Sequence, residues 1–183
     1  ERYQTYRVQM EDEWRDAEIR DAAFAGKSYE ADPDRLIGQL DGFFTDTRGP
    51  GKPVPGKAET PVRGLIAPHI DFQRGGPCYA WAYKELAESP PPDLFIILGT
   101  VHLPTINPFI LTKKDFATPL GVVETASDII DAIAGKVPFD PFQDEILHKA
   151  EHTIEFQAVF LSYLFGDAAR FRILPVLCGS FHD

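Results

Sequence analysis

The stretch that decides the fold, residues 63–103, contains two apolar runs that each end in a histidine. The first run reads Arg63-Gly-Leu-Ile-Ala-Pro-His69, and the second reads Asp93-Leu-Phe-Ile-Ile-Leu-Gly-Thr-Val-His102. Between them, residues 75–86 carry apolar side chains at helical spacing. This order predicts a strand, a helix and a second strand, which together form one βαβ crossover.

Both histidines are predicted at the same end of this crossover, because parallel strands point their carboxyl ends in one direction. Ligands of open α/β sheets bind outside those ends, so His69 and His102 fall where a site is expected. Neutral imidazoles bind iron, copper or zinc, and two of them need one carboxylate or thiolate to complete a set of three ligands. The alternative is a pair of strand-end histidines hydrogen-bonded to the backbone, and the spacing alone leaves both interpretations open.

A second polar cluster, Glu151-His-Thr-Ile-Glu155, lies in the longest helical pattern of the chain, residues 144–165. His148 would share a helix face with His152 if this helix were continuous, although a new helix could instead begin at residues 151–153. For Glu155 we favour a capping role at the helix start over a role as metal ligand. We expect His152 to line the pocket and to act there as a catalytic acid or base.

Length, charge and composition indicate one globular domain and exclude several classes of partner. The chain has 183 residues, of which 44% are hydrophobic, and a formal charge of -10. This charge disfavours nucleic acid and anionic membranes as partners. The two cysteines, Cys78 and Cys178, suit a reducing compartment. Because no charged-then-apolar leader follows Glu1, we expect a soluble, cytoplasmic protein whose true start has been trimmed.

The first part of the chain is predicted to contain an extension, a helix and a loop ahead of the first predicted strand. Residues 1–21 are expected to form a surface extension with at most one short helix. Asp32 suits the cap of a helix that begins at Pro33. Residues 47–61 are rich in proline and glycine and are predicted to form a loop.

The C-terminal half is predicted to contain three further strands. Two short ones are expected at about residues 109–112 and 120–123, with a loop at residues 113–119. The third is expected at residues 171–178, where Pro175 indicates an edge strand or a bulge.

Four motifs make the chain resemble the Memo family, whose bacterial members are called AmmeMemoRadiSam system protein B and which is similar in fold to the class III extradiol dioxygenases. The matching stretches are Ala23-Phe-Ala-Gly-Lys-Ser-Tyr-Glu-Ala-Asp-Pro33, Ile66-Ala-Pro-His69, Ile96-Ile-Leu-Gly-Thr-Val-His102 and Glu151-His-Thr-Ile-Glu155. The resemblance implies a three-layer α/β/α domain with a mostly parallel or mixed sheet over residues 22–183. It also implies that the C-terminal part of the domain, with the third metal ligand of the family, lies beyond Asp183.

For the site, the resemblance implies that His69 and His102 bind a divalent metal, namely iron, copper or zinc, and that His152 lies in the same cleft. The expected function is a metal-dependent, dioxygenase-like oxidoreductase that takes a small molecule of unspecified identity. The alternative is a non-enzymatic module that binds a peptide or a protein partner in the same cleft. One departure from the family is Asp71, two residues after His69, which we expect to face the cleft and to favour cations.

Overall fold

Six β-strands in the described residues form two three-stranded sheets, and helices pack around them in an α/β fold. The computed structural model describes residues 2–166 and 170–180. In chain order the elements are α1 (Arg2–Asp16), β1 (Ile19–Arg20), α2 (Pro33–Thr45), α3 (Phe72–Glu88), β2 (Leu94–Thr100), β3 (Phe109–Leu111), β4 (Asp115–Thr118), β5 (Gly121–Val123), α4 (Ser127–Ala134), a 3₁₀-helix (Glu145–Lys149), α5 (Thr153–Phe165) and β6 (Arg172–Cys178). None of the helices described is long and apolar enough to span a bilayer. The α/β class predicted from the sequence is confirmed.

The first sheet has the strand order β2-β6-β3, with β6 in its centre. β2 runs parallel to β6 and β3 runs antiparallel to it, so the sheet is mixed. On one face, Ile97 and Leu177 belong to the main core beneath α5. On the other face, Leu174 and Val176 pack with Ile130 of α4. Helix, sheet and helix therefore form three layers at β6.

The second sheet has the strand order β1-β4-β5, in which β1 and β4 are parallel and β4 and β5 are antiparallel. Helix α5 contacts strands of both sheets. It is apolar on nearly all sides because it is buried from nearly all sides. Its Phe160 stacks on Tyr79 of α3 with ring centroids 5.0 Å apart. α5 is therefore the central helix of the fold.

The first apolar run does not form a strand, which corrects the predicted βαβ unit. Residues 63–69 have no helix or strand assignment, and the side chain of Ile66 is 97% exposed. A strand needs a partner that pairs with its N–H and C=O groups, and no described strand pairs with this segment. Within the described chain β2 is consequently an edge strand, and its Ile96 and Leu98 side chains are 62% and 69% exposed.

Two further predictions differ from the structure. Helix α1 spans 15 residues rather than one short helix, and Trp14 near its end is buried. The segment 113–119 is not a loop throughout, because β4 lies within it and pairs with β1 and β5. The short strands expected at residues 109–112 and 120–123 are confirmed as β3 and β5.

Pro175 lies in the central strand of the first sheet, although the proline was expected to mark an edge or a bulge. β3 ends at Leu111, opposite Val176. On the same side of β6, the next residue that pairs with the strand is Thr125, which forms an isolated bridge with Ile173. Arg172 and Cys178 bond to the β2 side and Ile173 bonds to the other side, so the nitrogen of Pro175 faces the gap between Leu111 and Thr125. Its missing N–H therefore removes no hydrogen bond from the sheet.

Helix α2 begins as the sequence predicts. Pro33 is its first residue, and the Asp32 carboxylate accepts a hydrogen bond from the Arg35 N–H at 3.0 Å. Both features need only neighbouring residues, which explains why they are visible in the sequence.

Two glycines in different surroundings test this packing. A Cβ on Gly99 of β2 would approach Thr153 Oγ1 to 2.6 Å and Ile154 Cγ1 to 2.7 Å, whereas a Cβ on Gly38 of α2 would meet open space. We expect Gly99→Ala to lower the free energy of unfolding by about 1–3 kcal/mol through overpacking. Gly38→Ala should raise it by about 0.5–1 kcal/mol, because a helix interior favours alanine. Urea denaturation measures both changes, and unchanged stability of the Gly99→Ala protein would contradict the close contact between β2 and α5.

Candidate functional site

A cleft of about 700 Å³ brings together three histidines that are distant in the sequence. His69 precedes α3, His102 follows β2, and His152 directly precedes α5. The lining residues are Phe24, Ser28, Pro68, His69, Ile70, Asp71, Arg74, His102, His152 and Phe156. A second cavity of about 710 Å³ lies around Asp93 and Arg172, at the opposite ends of β2 and β6, and no histidine of the described chain lines it. The chemistry of the side chains therefore selects the histidine cleft as the candidate site.

Two hydrogen bonds hold the loop that carries His69. The Pro68 carbonyl accepts one from Gln157 Nε2 at 3.0 Å, and the Ile70 carbonyl accepts one from the Tyr79 hydroxyl at 3.0 Å. Because these carbonyls flank His69 on both sides, α5 and α3 place the histidine without the predicted strand. His69 therefore lies in the cleft, but on a loop rather than at the end of a strand.

The three imidazole rings form a triangle. The ring centroids are 5.3 Å apart for His69 and His102, 4.9 Å apart for His102 and His152, and 5.9 Å apart for His69 and His152. The structure thus brings together the three histidines that the sequence singles out. Their roles as metal ligands and as catalytic residue stay predictions.

Glu151 is buried and orients two of these histidines. Its carboxylate accepts hydrogen bonds from the backbone N–H of His102 at 3.0 Å and of His152 at 2.8 Å. The Nδ1 atoms of His102 and His152 each lie 3.0 Å from one of its oxygens. An ionised carboxylate can only accept, so the His102 ring donates its Nδ1–H to Glu151. The His152 ring lies within ion-pair distance of the same carboxylate and also hydrogen-bonds to the His69 backbone.

The protonation states fit this arrangement. Burial opposes ionisation of Glu151, but hydrogen bonds from the His102 ring and from the backbone N–H groups of His102 and His152 outweigh it and hold the pKa of this carboxyl below its ordinary value. Burial is the main cause that lowers the pKa of His152, and the neighbouring imidazoles act in the same direction. At neutral pH His152 is therefore a neutral imidazole, which can bind a metal or accept a proton.

His102, Glu151 and His152 form a group that could hold a metal ion, because one donor atom from each lies within 4.8 Å of the others. The two oxygens of Glu151 already accept the N–H groups of His102 and His152, and Oε1 also accepts the Thr153 N–H at 3.3 Å. The imidazole nitrogens are consequently the more available donors, and Glu151 is the hydrogen-bonding partner of the His102 ring.

Glu155 has neither of the two roles considered from the sequence. It is fully buried, and its Oε1 accepts hydrogen bonds from the Phe24 N–H at 2.9 Å and from the Tyr29 hydroxyl. Its Oε2 pairs with Arg20 at 2.6 Å. The N–H groups at the start of α5 are instead capped by the preceding carboxylate, Glu151.

His148 lies outside the cleft because the predicted helix is interrupted. It belongs to the 3₁₀-helix, which ends before α5 begins. Its Nε2 donates to the Ile110 carbonyl at 3.2 Å, and its ring meets Phe116 edge-on. The break expected as one alternative at residues 151–153 is therefore confirmed, and His148 shares no helix face with His152.

Asp71 lines the cleft, as the sequence predicts. Its carboxylate caps α3 by accepting the Arg74 N–H at 3.1 Å and pairs with the Arg74 guanidinium at 2.5 Å. This guanidinium holds the pKa of Asp71 below its ordinary value. Because Arg74 also lines the cleft, the pair adds little net charge to it.

A family model described as "Memo-like protein" matches residues 20–182. The chain belongs to the Memo family. It is 38% identical over 167 residues to a MEMO1 family protein of Methanopyrus kandleri, 35% over 167 residues to one of Ignicoccus hospitalis, and 35% over 163 residues to one of Thermotoga neapolitana. These alignments cover 90%, 87% and 86% of the chain but 57%, 56% and 57% of the relatives, so the chain spans little more than half of their length. The resemblance drawn from the four motifs is confirmed.

In this Memo-family chain, the sequence analysis missed Gln157 and Arg20 as residues that support the site. Gln157 had a local signal, since it is a polar residue between the apolar Phe156 and Ala158 of α5. Arg20 had none, because its partners His148 and Glu151 are 128 and 131 residues away in the sequence. Such a contact is defined only by the tertiary fold.

The buried His148 predicts a pH dependence of stability. Burial lowers the pKa of His148 from 6.5 to about 3. Between these values the unfolded chain binds a proton that the folded chain does not, so His148 makes stability fall as the pH decreases. His148→Gln keeps a donor for the Ile110 carbonyl but does not titrate. We expect the wild type to lose up to about 1.4 kcal/mol per pH unit more than this variant over that window.

Urea unfolding of both proteins at pH 7, 6, 5 and 4 checks this expectation. All other titrating groups are common to the two proteins, so the difference between their curves isolates His148. Parallel curves across the window would show that His148 takes up a proton in the folded state.

Proposed function

We propose that the cleft is a divalent metal centre in which His69 and His102 are ligands and His152 is a general acid or base, and that it serves the oxidation of a small organic molecule by dioxygen. The observation that carries the proposal is the triangle of three imidazoles, beside which one buried carboxylate accepts hydrogen bonds from the His102 ring and from the backbone N–H groups of His102 and His152. Iron, copper and zinc are the candidate metals, since imidazole nitrogen suits all three.

The geometry of the rings fits a shared metal ion. Two imidazoles that bind one metal at about 2.1 Å have ring centroids roughly 5 Å apart. The His69 and His102 centroids are 5.3 Å apart, and the His152 ring lies beside them, 4.9 Å from the His102 ring. A carboxylate that accepts the second N–H of a ligating histidine is the usual means of fixing its tautomer, and Glu151 takes this place for His102.

A bound metal would supply a Lewis acid and, for iron or copper, a redox centre. His152 can move protons beside it, because its imidazole is neutral at neutral pH and its Nδ1 lies 3.0 Å from the Glu151 carboxylate. That carboxylate stabilises the imidazolium formed when the ring accepts a proton. The Phe24 and Phe156 rings pack 5.6 and 5.1 Å from the His152 ring and exclude water from that side.

The walls of the cleft favour a substrate with an apolar body. Phe24, Ile70 and Phe156 provide apolar surface, and Ser28 provides a hydroxyl. Small-molecule sites commonly combine such walls with a few polar groups that fix the orientation of the ligand.

A module that binds a peptide or a protein partner is the second candidate function. Three exposed apolar residues favour it. Ile66 and Ile70 lie within three residues of His69 in the sequence, and Leu103 directly follows His102. Exposed apolar residues that lie close together mark interaction surfaces. On this alternative the histidines would need no metal.

Calorimetric titration with Zn²⁺, and with Fe²⁺ without oxygen, tests the metal centre. We expect His69→Ala and His102→Ala each to weaken binding by more than about tenfold, because each removes a direct ligand. His148→Gln is the matched control, since it alters a histidine outside the cleft and should leave the affinity unchanged. His152→Ala should retain more of the metal affinity than either ligand variant but lose oxygen uptake, measured with an oxygen electrode on the Fe²⁺-loaded protein with catechols as probe substrates.

A wild-type chain that binds neither metal would overturn the proposal and leave the peptide-binding module as the better candidate. Equal loss of affinity in the His148→Gln control would show that the histidines act through stability rather than through coordination.

A further inference from the structure

Arg20 is a fully buried cation behind the cleft. It pairs with the fully buried Glu155 at 2.6 Å. Its Nε donates to the His148 carbonyl at 2.6 Å, and its Nη2 donates to the Glu151 carbonyl at 2.8 Å. The guanidinium also lies 5.2 Å from the centroid of the Phe116 ring. Several donors in one rigid plane are a property of arginine that lysine cannot reproduce.

The peptide bond between Glu151 and His152 is held at both of its polar groups. Its carbonyl accepts the hydrogen bond from Arg20, and its N–H donates to the Glu151 carboxylate at 2.8 Å. A peptide unit is planar, so fixing both groups fixes the plane from which the Cα of His152 extends. Arg20 therefore acts on the position of His152 without touching its ring.

The same network reaches the His152 ring from a second direction. Glu155, which neutralises Arg20, also accepts the Phe24 N–H at 2.9 Å. The Phe24 ring then meets the His152 ring edge-on, with centroids 5.6 Å apart. Backbone and ring of the histidine are thus both held by groups connected to one buried ion pair.

We propose that Arg20 is a positioning residue of the metal centre, which holds Glu151 and His152 in the orientation that the site requires. The inference rests on the proposed function. Stability alone does not explain the arrangement, because replacing a buried ion pair with uncharged residues is often neutral or stabilising. A positioning role explains the two hydrogen bonds that Arg20 donates to the carbonyls of His148 and Glu151. These two carbonyls lie on either side of the turn before α5.

The test variant combines Arg20→Met with Glu155→Gln, so that no unpaired charge stays buried. The amide oxygen of the glutamine still accepts the N–H of Phe24 and the hydroxyl of Tyr29. The matched control combines Arg172→Met with Asp128→Asn. This control also removes an arginine–carboxylate pair, whose charged atoms lie 2.5 Å apart. The pair is remote from the cleft, because Arg172 lines the cavity at the opposite end of β6.

Two measurements separate positioning from stability. Zn²⁺ affinity should fall about 10–100-fold in the test variant, as for the loss of other groups that orient ligands, and should not change in the control. In the metal-free protein, hydrogen exchange at the amides of His152 and Thr153 should accelerate at least about tenfold, while exchange in α4 stays unchanged.

A folded test variant with wild-type Zn²⁺ affinity and wild-type exchange at His152 would overturn the positioning role. If the wild type binds no Zn²⁺, the proposed function fails, and hydrogen exchange alone decides the inference about Arg20. If the test variant does not fold, Arg20→Lys replaces it, since lysine keeps the charge beside Glu155 but not the planar set of donors. Wild-type exchange in that variant would overturn the role equally.

Discussion

The geometry of the cleft depends on one buried carboxylate, that of Glu151. It joins the end of β2 to the start of α5, because it accepts the backbone N–H groups of both His102 and His152. It also accepts from the His102 ring and lies 3.0 Å from Nδ1 of His152, so one group sets both backbone positions and the orientation of the His102 ring. Loss of this acceptor would leave several N–H groups without a partner in a partly buried place, which is costly. The two histidines are therefore ordered before any ligand binds.

Around this carboxylate, α5 combines the role of central core helix with that of site scaffold. Its apolar residues join the core from both sheets, and Phe156 contacts the aromatic rings of Tyr29, Phe72 and His152. Its polar residue Gln157 holds the His69 loop through the Pro68 carbonyl. A rigid, fully packed helix is a suitable support for a site that requires precise placement of its groups.

Local features of the fold could be predicted from the sequence, whereas features that depend on long-range contacts could not. The start of α2 was predictable because Asp32 and Pro33 act on the first turn of their own helix. The strand expected at residues 63–69 was not, because a strand exists only with a partner, and apolar composition does not show whether one is present. The role of Glu155 was misjudged for a related reason. Its partners Arg20, Phe24 and Tyr29 are at least 126 residues away, so a carboxylate one turn into a helix resembled a local cap.

The sequence by itself determined the α/β class, the Memo-family membership and the identity of the three cleft histidines, since these rest on residue types and their order. Only the tertiary structure decided which groups support them. Glu151 proved to be the orienting carboxylate, Arg20 a buried donor to the Glu151 backbone carbonyl, and His148 a core residue. The physical reason is that a hydrogen bond or an ion pair depends on distances of about 3 Å between atoms, and such distances between remote segments are set by the packing of the whole core.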